Sequence, residues 1–286
     1  MSPDYTNSTL ADTHIVVTGG GTGLGFEMAK RFTQLGAKVS INGRRSEKLD
    51  AAVAEITEAG GTASGIVCDV RDPESVESFL CQAEEAQGPV TGLVNNAAAN
   101  FLSDTATLSP RGFDAIVQTN LYGTFHCTQA CGRRWLDRKT SGNVVSIATT
   151  YTEPGSAFVV PSAVSKAGIV TMMKSLAAEW GPYGIRLNVI SPGPIPTDGA
   201  WDRLVPDPRM EAQFKERLAL RRFGEPIEVA NLAVYLLSDL SSFLTGENIC
   251  LDGGEHLAGG LFNPFTSMPR EQILGMLEMM RGREGR

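Results

Sequence analysis

The sequence predicts an α/β fold: a doubly wound parallel sheet in three layers (α/β/α) within a single domain. Three observations predict it. Short apolar runs rich in β-branched residues alternate with amphipathic stretches along most of the 286 residues, as strands buried on both faces and joined by crossover helices must. The first run leads straight into a glycine-rich turn that opens a helix, the form of a nucleotide-binding βα unit. No internal repeat or low-complexity linker divides the chain.

Taken in order, His14–Thr18 is a short buried strand, followed by glycines and a helix through Leu35. Lys38–Asn42 is a second strand and Ser46–Ala59 a second helix, with apolar residues at helical spacing. Ser64–Cys68 is a third strand and Pro73–Ala86 a third helix, with proline at its start. Gly92–Asn95 is a fourth strand, and helical material runs from Pro110 to Asp137. Asn143–Ile147, Arg186–Ile190 and Glu247–Leu251 complete the strands, with helices at Ser162–Glu179 and Ile227–Leu237 between them. Two segments stand outside the alternation. Residues 194–222 contain Pro, Trp and several basic residues and suit a substrate lid. Residues 263–286 form a tail whose Met276, Met279 and Met280 lie near helical spacing, suiting a helix packed on a neighbour or a mobile lid.

Composition narrows the function. Twenty-five basic against thirty-two acidic residues give a net charge of −7, which argues against nucleic acid as the main partner, since phosphate neutralisation needs clustered Lys and Arg. No run reaches the roughly 18 apolar residues of a membrane span, and no membrane association is expected. The first fifteen residues contain no Lys or Arg and no apolar core, and the last four, Arg-Glu-Gly-Arg, are not a peroxisomal address. The cytoplasm is the expectation, an organelle interior the alternative. Five cysteines without a CxxC pair read as free thiols, not a metal site.

The turn Thr18-Gly19-Gly20-Gly21-Thr22-Gly23-Leu24-Gly25 has the spacing TGxxxGxG. Glycines let backbone turn tightly and approach a pyrophosphate, and the following helix offers N–H donors and a favourable dipole. Gly19, Gly21, Thr22, Gly23, Leu24 and Gly25 are the expected contacts. An NAD site normally carries Asp or Glu at the end of the second strand. Here the run is Asn42-Gly43-Arg44-Arg45, and the forked guanidinium of Arg44 suits a ribose 2′-phosphate. NADP(H) is therefore the expected cofactor. Asp69 and Val70 fit an adenine contact, and Asn96 with its neighbouring alanines lets the nicotinamide ribose pass close to the backbone.

Together with Asn120, Lys166, Pro192-Gly193 and Asp252-Gly253-Gly254, these residues resemble the short-chain dehydrogenase/reductase family over about residues 12–255. The resemblance implies a Rossmann-type domain, a homotetramer, hydride transfer at a nicotinamide, and cofactor contacts at Lys166, Pro192, Gly193 and Ile195. That family's usual catalytic set is Ser, Tyr and Lys with a supporting Asn. Alignment on Gly142 and Lys166 puts Thr149 at the usual serine and Ser162 at the usual tyrosine. A serine hydroxyl is far too weak an acid to replace a phenol of pKa near ~10. Tyr151 stands instead fifteen residues before the lysine.

The stretch Thr149–Ser162, with Ala98-Ala99-Asn100-Phe101, Pro192-Gly193-Pro194-Ile195, Gly199–Leu204 and Gly260–Asn263, resembles the 2,4-dienoyl-CoA reductases in particular. That resemblance implies catalytic roles for Tyr151, Asn100, Ser162 and Lys166, with Asn120 in support. It implies acyl-CoA contacts at Arg71, Phe101, Ser109, Tyr151 and Arg203, and a place in β-oxidation of unsaturated fatty acids. The expected reaction is NADPH-dependent reduction of a 2,4-dienoyl-CoA to a 3-enoyl-CoA, hydride entering at C5 and Tyr151 with Asn100 stabilising the dienolate oxygen. Reduction of another enone, ketone or acyl thioester is the alternative within enzymes, and a silent nucleotide-binding protein the alternative outside them.

Overall fold

The computed structural model describes residue 6, residues 8–197 and residues 207–281. Strands β1 (His14–Thr18), β2 (Lys38–Gly43), β3 (Thr62–Val67), β4 (Gly92–Asn95), β5 (Gly142–Ile147), β6 (Ile185–Pro192) and β7 (Asn248–Leu251) form one sheet. Their order is β3-β2-β1-β4-β5-β6-β7, every pairing parallel. The helices are α1 (Gly23–Gln34), α2 (Ser46–Glu58), α3 (Pro73–Gln87), α4 (Pro110–Val117), α5 (Gly123–Arg138), α6 (Val160–Trp180), α7 (Pro208–Arg217), α8 (Pro226–Leu237) and α9 (Arg270–Arg281).

Strand side chains alternate between two cores, because their period is two. Ile15, Val17, Val94, Val145 and Ile147 pack with α1, α2 and α8 on one face. Val16, Leu93, Val144, Leu187 and Val189 pack with α3, α5 and α6 on the other. Burial on both faces explains why the central strands read as continuous apolar runs, not as alternating ones. The chain reverses its direction of progress through the sheet between β1 and β4. In open α/β sheets the crevice at such a switch point, beyond the carboxyl ends of the strands, is where ligands bind.

Three local features differ from the sequence expectation. The helical material after Pro110 is not continuous: a π-helical turn, Gln118–Tyr122, separates α4 from α5. The extra residue turns Asn120 inward, where it is buried, and the Thr124 hydroxyl donates to its carbonyl at 2.7 Å. Helix α6 begins two residues earlier than expected, with Pro161 in its first turn where no N–H is needed. Edge strand β3 spans Thr62–Val67 and is half exposed, so the buried-strand pattern that marks the others is weak there. Within residues 194–222, α7 is described and residues 198–206 lie outside the described residues. In the tail a 3-10 turn, Asn263–Ser267, precedes α9, which has no buried residue. Among the described residues no helix is long and apolar enough to cross a membrane.

Candidate active site

The carboxyl ends of β1 and β4 are tied together by side chains. The Thr18 hydroxyl accepts from the backbone N–H of Asn96 (2.9 Å) and Ala97 (3.0 Å), and Asn96 Nδ2 donates to Thr18 O (3.0 Å). Asn42, at the end of β2, accepts from the Gly19 N–H at 3.2 Å. Gly19 sits at φ +64, and an added Cβ would come within 3.0 Å of Ala97 Cα. At Gly25 a Cβ would lie 2.5 Å from both Asn96 Nδ2 and Gly19 O, so only glycine lets α1 start this close to β4. The first turn of α1 holds no acidic residue, and Thr22 provides no side-chain cap. Its leading N–H groups, which have no intrahelical partners, face an anion-ready position. On the far side, Gly193 packs so closely on Asp252 that a Cβ would meet Asp252 Cα at 2.7 Å. Pro192 ends β6 and Ile195 packs against the core of α1 and α8.

No carboxylate stands at the end of β2. Arg44 and Arg45 are exposed there, and the Arg45 carbonyl accepts from the N–H groups of Lys48 and Leu49, both at 3.3 Å. Asp69, after β3, takes the fork of Arg71, Nε to Oδ1 at 2.9 Å and Nη2 to Oδ2 at 2.5 Å. That hydrogen bonding holds the Asp69 carboxyl below the usual carboxylate range, and the charge of Arg44 adds to the effect. Val70 is buried beside them. An open cleft of about 420 Å³ adjoins the pair, lined also by Arg111 and Asp114.

The second cluster lies over the ends of β4 and β5. Lys166, 7% exposed, projects from α6 and donates to Ile147 O at 2.5 Å. Burial without a carboxylate partner pulls its ammonium down to about 8. Ser162 lies one turn earlier on the same helix and is also buried. Tyr151 occupies a 3-10 turn, Thr150–Thr152, directly after β5. Its hydroxyl meets Ser162 Oγ at 3.1 Å, and Asn100 Nδ2 reaches it at 3.5 Å. The Asn100 carbonyl oxygen is occupied by the Phe101 N–H (3.0 Å), which leaves the amide's donor side facing the phenol. Asn120 braces this loop from behind, accepting from Ala99 N at 2.8 Å and donating to Ala99 O at 3.0 Å.

Tyr151, Asn100 and Ser162 are thus brought together by hydrogen bonds, on the α6 face that also carries Lys166. Of the expected substrate contacts, Phe101 is 40% exposed near this cluster, Ser109 caps α4 by accepting from Gly112 N, and Arg71 is engaged with Asp69. Arg203 lies outside the described residues. Two features escaped the sequence reading. Phe158, before α6, has φ +65, a costly conformation for an aromatic residue, and its carbonyl accepts from Ser103 N at 2.9 Å. Glu255 accepts from the Thr150 hydroxyl at 2.8 Å. Its signal in sequence is only an acid directly after the Asp-Gly-Gly run.

Comparison with known proteins gives a consistent picture. A family model described as enoyl-(acyl carrier protein) reductase matches residues 19–256. The chain is 44% identical over 245 residues to a probable 2,4-dienoyl-CoA reductase, (3E)-enoyl-CoA-producing, of Caenorhabditis elegans, covering 84% of this chain and 79% of that one. It is 39% identical over 244 residues to a probable 2,4-dienoyl-CoA reductase, (2E)-enoyl-CoA-producing, of Bacillus subtilis, covering 85% and 96%. A solved short-chain dehydrogenase of Bacillus anthracis superposes with a TM-score of 0.79 at 37% identity, covering 85% of this chain and 96% of that one.

Proposed function

The chain belongs to the short-chain dehydrogenase/reductase family of oxidoreductases, and from that premise we propose that it reduces 2,4-dienoyl-CoA with NADPH. The observation that carries the proposal is the hydrogen bonding of Tyr151 to Ser162 and Asn100. A phenol absent from its usual place four residues before Lys166 is supplied from the turn after β5.

The glycine turn and the uncapped first turn of α1 fit a dinucleotide pyrophosphate, and Gly19, Gly21, Thr22, Gly23, Leu24 and Gly25 would hold it. Arg44, exposed and following a β2 end that carries no acidic residue, would take the 2′-phosphate, which favours NADP(H). Asp69 and Val70 would border the adenine. Asn96, Lys166, Pro192, Gly193 and Ile195 would frame the nicotinamide ribose. When bound, the reduced nicotinamide supplies the hydride.

The substrate's conjugation explains the displaced phenol. Hydride added at C5 of a dienoyl thioester sends charge along the conjugated chain to the thioester oxygen, several bonds away. The donors must stand at that oxygen, not beside the carbon receiving hydride. Tyr151 Oη and Asn100 Nδ2 form such a donor pair, preorganised by Ser162 and by the Phe101 N–H. Protonation at C2, by Tyr151 or by a water it orients, yields a 3-enoyl-CoA. Protonation at C4 yields the 2-enoyl isomer, so which carbon Tyr151 serves sets the product. The buried ammonium of Lys166 holds the ribose and favours negative charge nearby. Phe101, Arg71, Ser109 and Arg203 are the proposed acyl-CoA contacts.

A second reading, reduction of another activated acyl thioester, is favoured by the description of the family match. Comparing NADPH oxidation with 2,4-dienoyl-, 2-enoyl- and 3-ketoacyl-CoA separates the two. Turnover confined to the dienoyl substrate supports the proposal, and turnover confined to the others overturns it.

A further inference from the structure

The turn that carries Tyr151 is anchored from the far end of the chain, and we propose that Glu255 is a positioning residue for Tyr151, acting through Thr150. The inference rests on the reading of Tyr151 as the group that faces substrate. Tyr151 sits in the middle of a three-residue turn with φ −84 and ψ 17, after an extended Thr149. One backbone bond, Gly155 N to Tyr151 O at 3.2 Å, closes the turn on its C-terminal side. So short a 3-10 segment has little stability of its own. At its first residue, Thr150 Oγ1 donates to Glu255 Oε2 at 2.8 Å, a contact between positions 105 residues apart.

Glu255 is itself delivered by a built turn. After β7 the chain reverses through Gly253 and Gly254, both at positive φ (+60 and +82), a path that favours glycine. The buried carboxylate of Asp252 fixes this reversal, accepting from Gly254 N (2.9 Å), His256 N (2.8 Å) and His256 Nδ1 (2.7 Å). Asp252 also abuts Gly193 on the loop after β6. One residue therefore meets both elements: the Asp252 backbone abuts the β6 loop, and its carboxylate holds the segment that carries Glu255. Glu255 is not a freely solvated acid. Burial pushes its carboxyl up, Asp252 adds to that, and the Thr150 bond, Arg217 and His256 work against it. A partly desolvated carboxylate gains more from a hydroxyl donor than a solvated one does.

The consequence is geometric. Tyr151 follows Thr150 directly, so losing the anchor frees the turn and moves the phenol away from Ser162 and Asn100. Displacements of about 1 Å at a reacting group cost up to about a hundredfold in rate. Glu255→Ala is expected to lower kcat about tenfold while leaving the KM for NADPH unchanged, the loss of one charge-assisted hydrogen bond. Glu255→Gln keeps an acceptor for Thr150 and is expected to stay within about twofold of the parent. Thr150→Val combined with Glu255→Ala should be no worse than either alone, because both remove the same contact.

A readout independent of turnover uses 3-fluorotyrosine placed at position 151. Its fluorine resonance should shift or broaden in Glu255→Ala and return in Glu255→Gln. A parental kcat and an unmoved resonance in Glu255→Ala overturn the inference, as does a Gln variant as impaired as the Ala variant. If the parent enzyme reduces no dienoyl-CoA, the proposed function fails, and the fluorine comparison still decides whether Glu255 positions Tyr151.

Discussion

The hydroxyl of Tyr151 lies 3.1 Å from Ser162 Oγ, although one side chain comes from a turn after β5 and the other from the start of α6. In the proposed reaction the pair would fill the function of a single residue. The serine occupies the place four before Lys166, and the tyrosine enters from outside the helix to meet it. Ser162 would then hold the phenol, a contact that an alanine cannot make. Ser162→Ala is expected to lower kcat about tenfold, about 1.4 kcal/mol, with a smaller change in KM for the acyl-CoA. Steady-state kinetics on both substrates check it.

Asn100 makes a different contribution. Its Nδ2 faces Tyr151 while its carbonyl oxygen is held by Phe101 N, so its donor is oriented before substrate arrives. Asn100→Ala should lower kcat by about 10²–10³, the usual effect of removing one donor from an oxyanion site. Asn100→Asp, which replaces the donor with a negative charge, should be at least as severe. Single-turnover measurement at saturating NADPH isolates this effect from binding.

Lys166 predicts a pH dependence of stability with a definite sign. Burial lowers its folded-state value from 10.5 to about 8, while the unfolded chain keeps the ordinary value. Between about pH 8 and 10.5 the unfolded state therefore binds more protons, and this residue's contribution to stability becomes more favourable as pH rises through that window. Below it, the buried ammonium is a cost. Lys166→Met removes that dependence, so the stability of the parent relative to the variant should improve from pH 8 to pH 10. Denaturant unfolding at the two pH values, without cofactor, checks the sign. Activity should fall over the same range as the ammonium is lost.

Arg44 decides cofactor choice in this account. Arg44→Glu places a carboxylate at the β2 end, where it repels a 2′-phosphate and accepts from a 2′-hydroxyl. The Kd for NADPH should rise at least about tenfold, the value of one charge-assisted contact, while NADH binding is unchanged or tighter. Titration of the nucleotides into each protein reads both directly.

Much of this molecule was legible in its sequence, for stated physical reasons. Strands β1 and β5 pack into both cores, so apolar residues fall at consecutive positions, Ile15-Val16-Val17 and Val144-Val145. The glycines at 19, 23 and 25 are demanded by positive φ or by backbone contact. The gathering of Asn100, Tyr151 and Ser162 was legible only through family resemblance, because residues so far apart in sequence carry no local signal of contact. The π-helical turn at Asn120 was not legible, since one extra residue in a helix leaves the apolar pattern almost intact. Nor was the Thr150–Glu255 contact, which depends on how two short turns meet above the sheet. Arg71 shows the converse. The family resemblance implied an acyl-CoA contact there, and its pairing with Asp69, two residues away, is a local contact that the resemblance did not include.

In the proposed reaction the displaced Tyr151 serves a conjugated acyl thioester. The most direct measurement is NADPH oxidation with a 2,4-dienoyl-CoA by the parent enzyme beside Tyr151→Phe, which keeps the ring and removes only the hydroxyl. Robust turnover by the parent and a loss of about a hundredfold or more in the variant are expected. A Tyr151→Phe enzyme with full dienoyl-CoA reductase activity contradicts that role of Tyr151, as does a parent that binds NADPH and reduces no dienoyl-CoA.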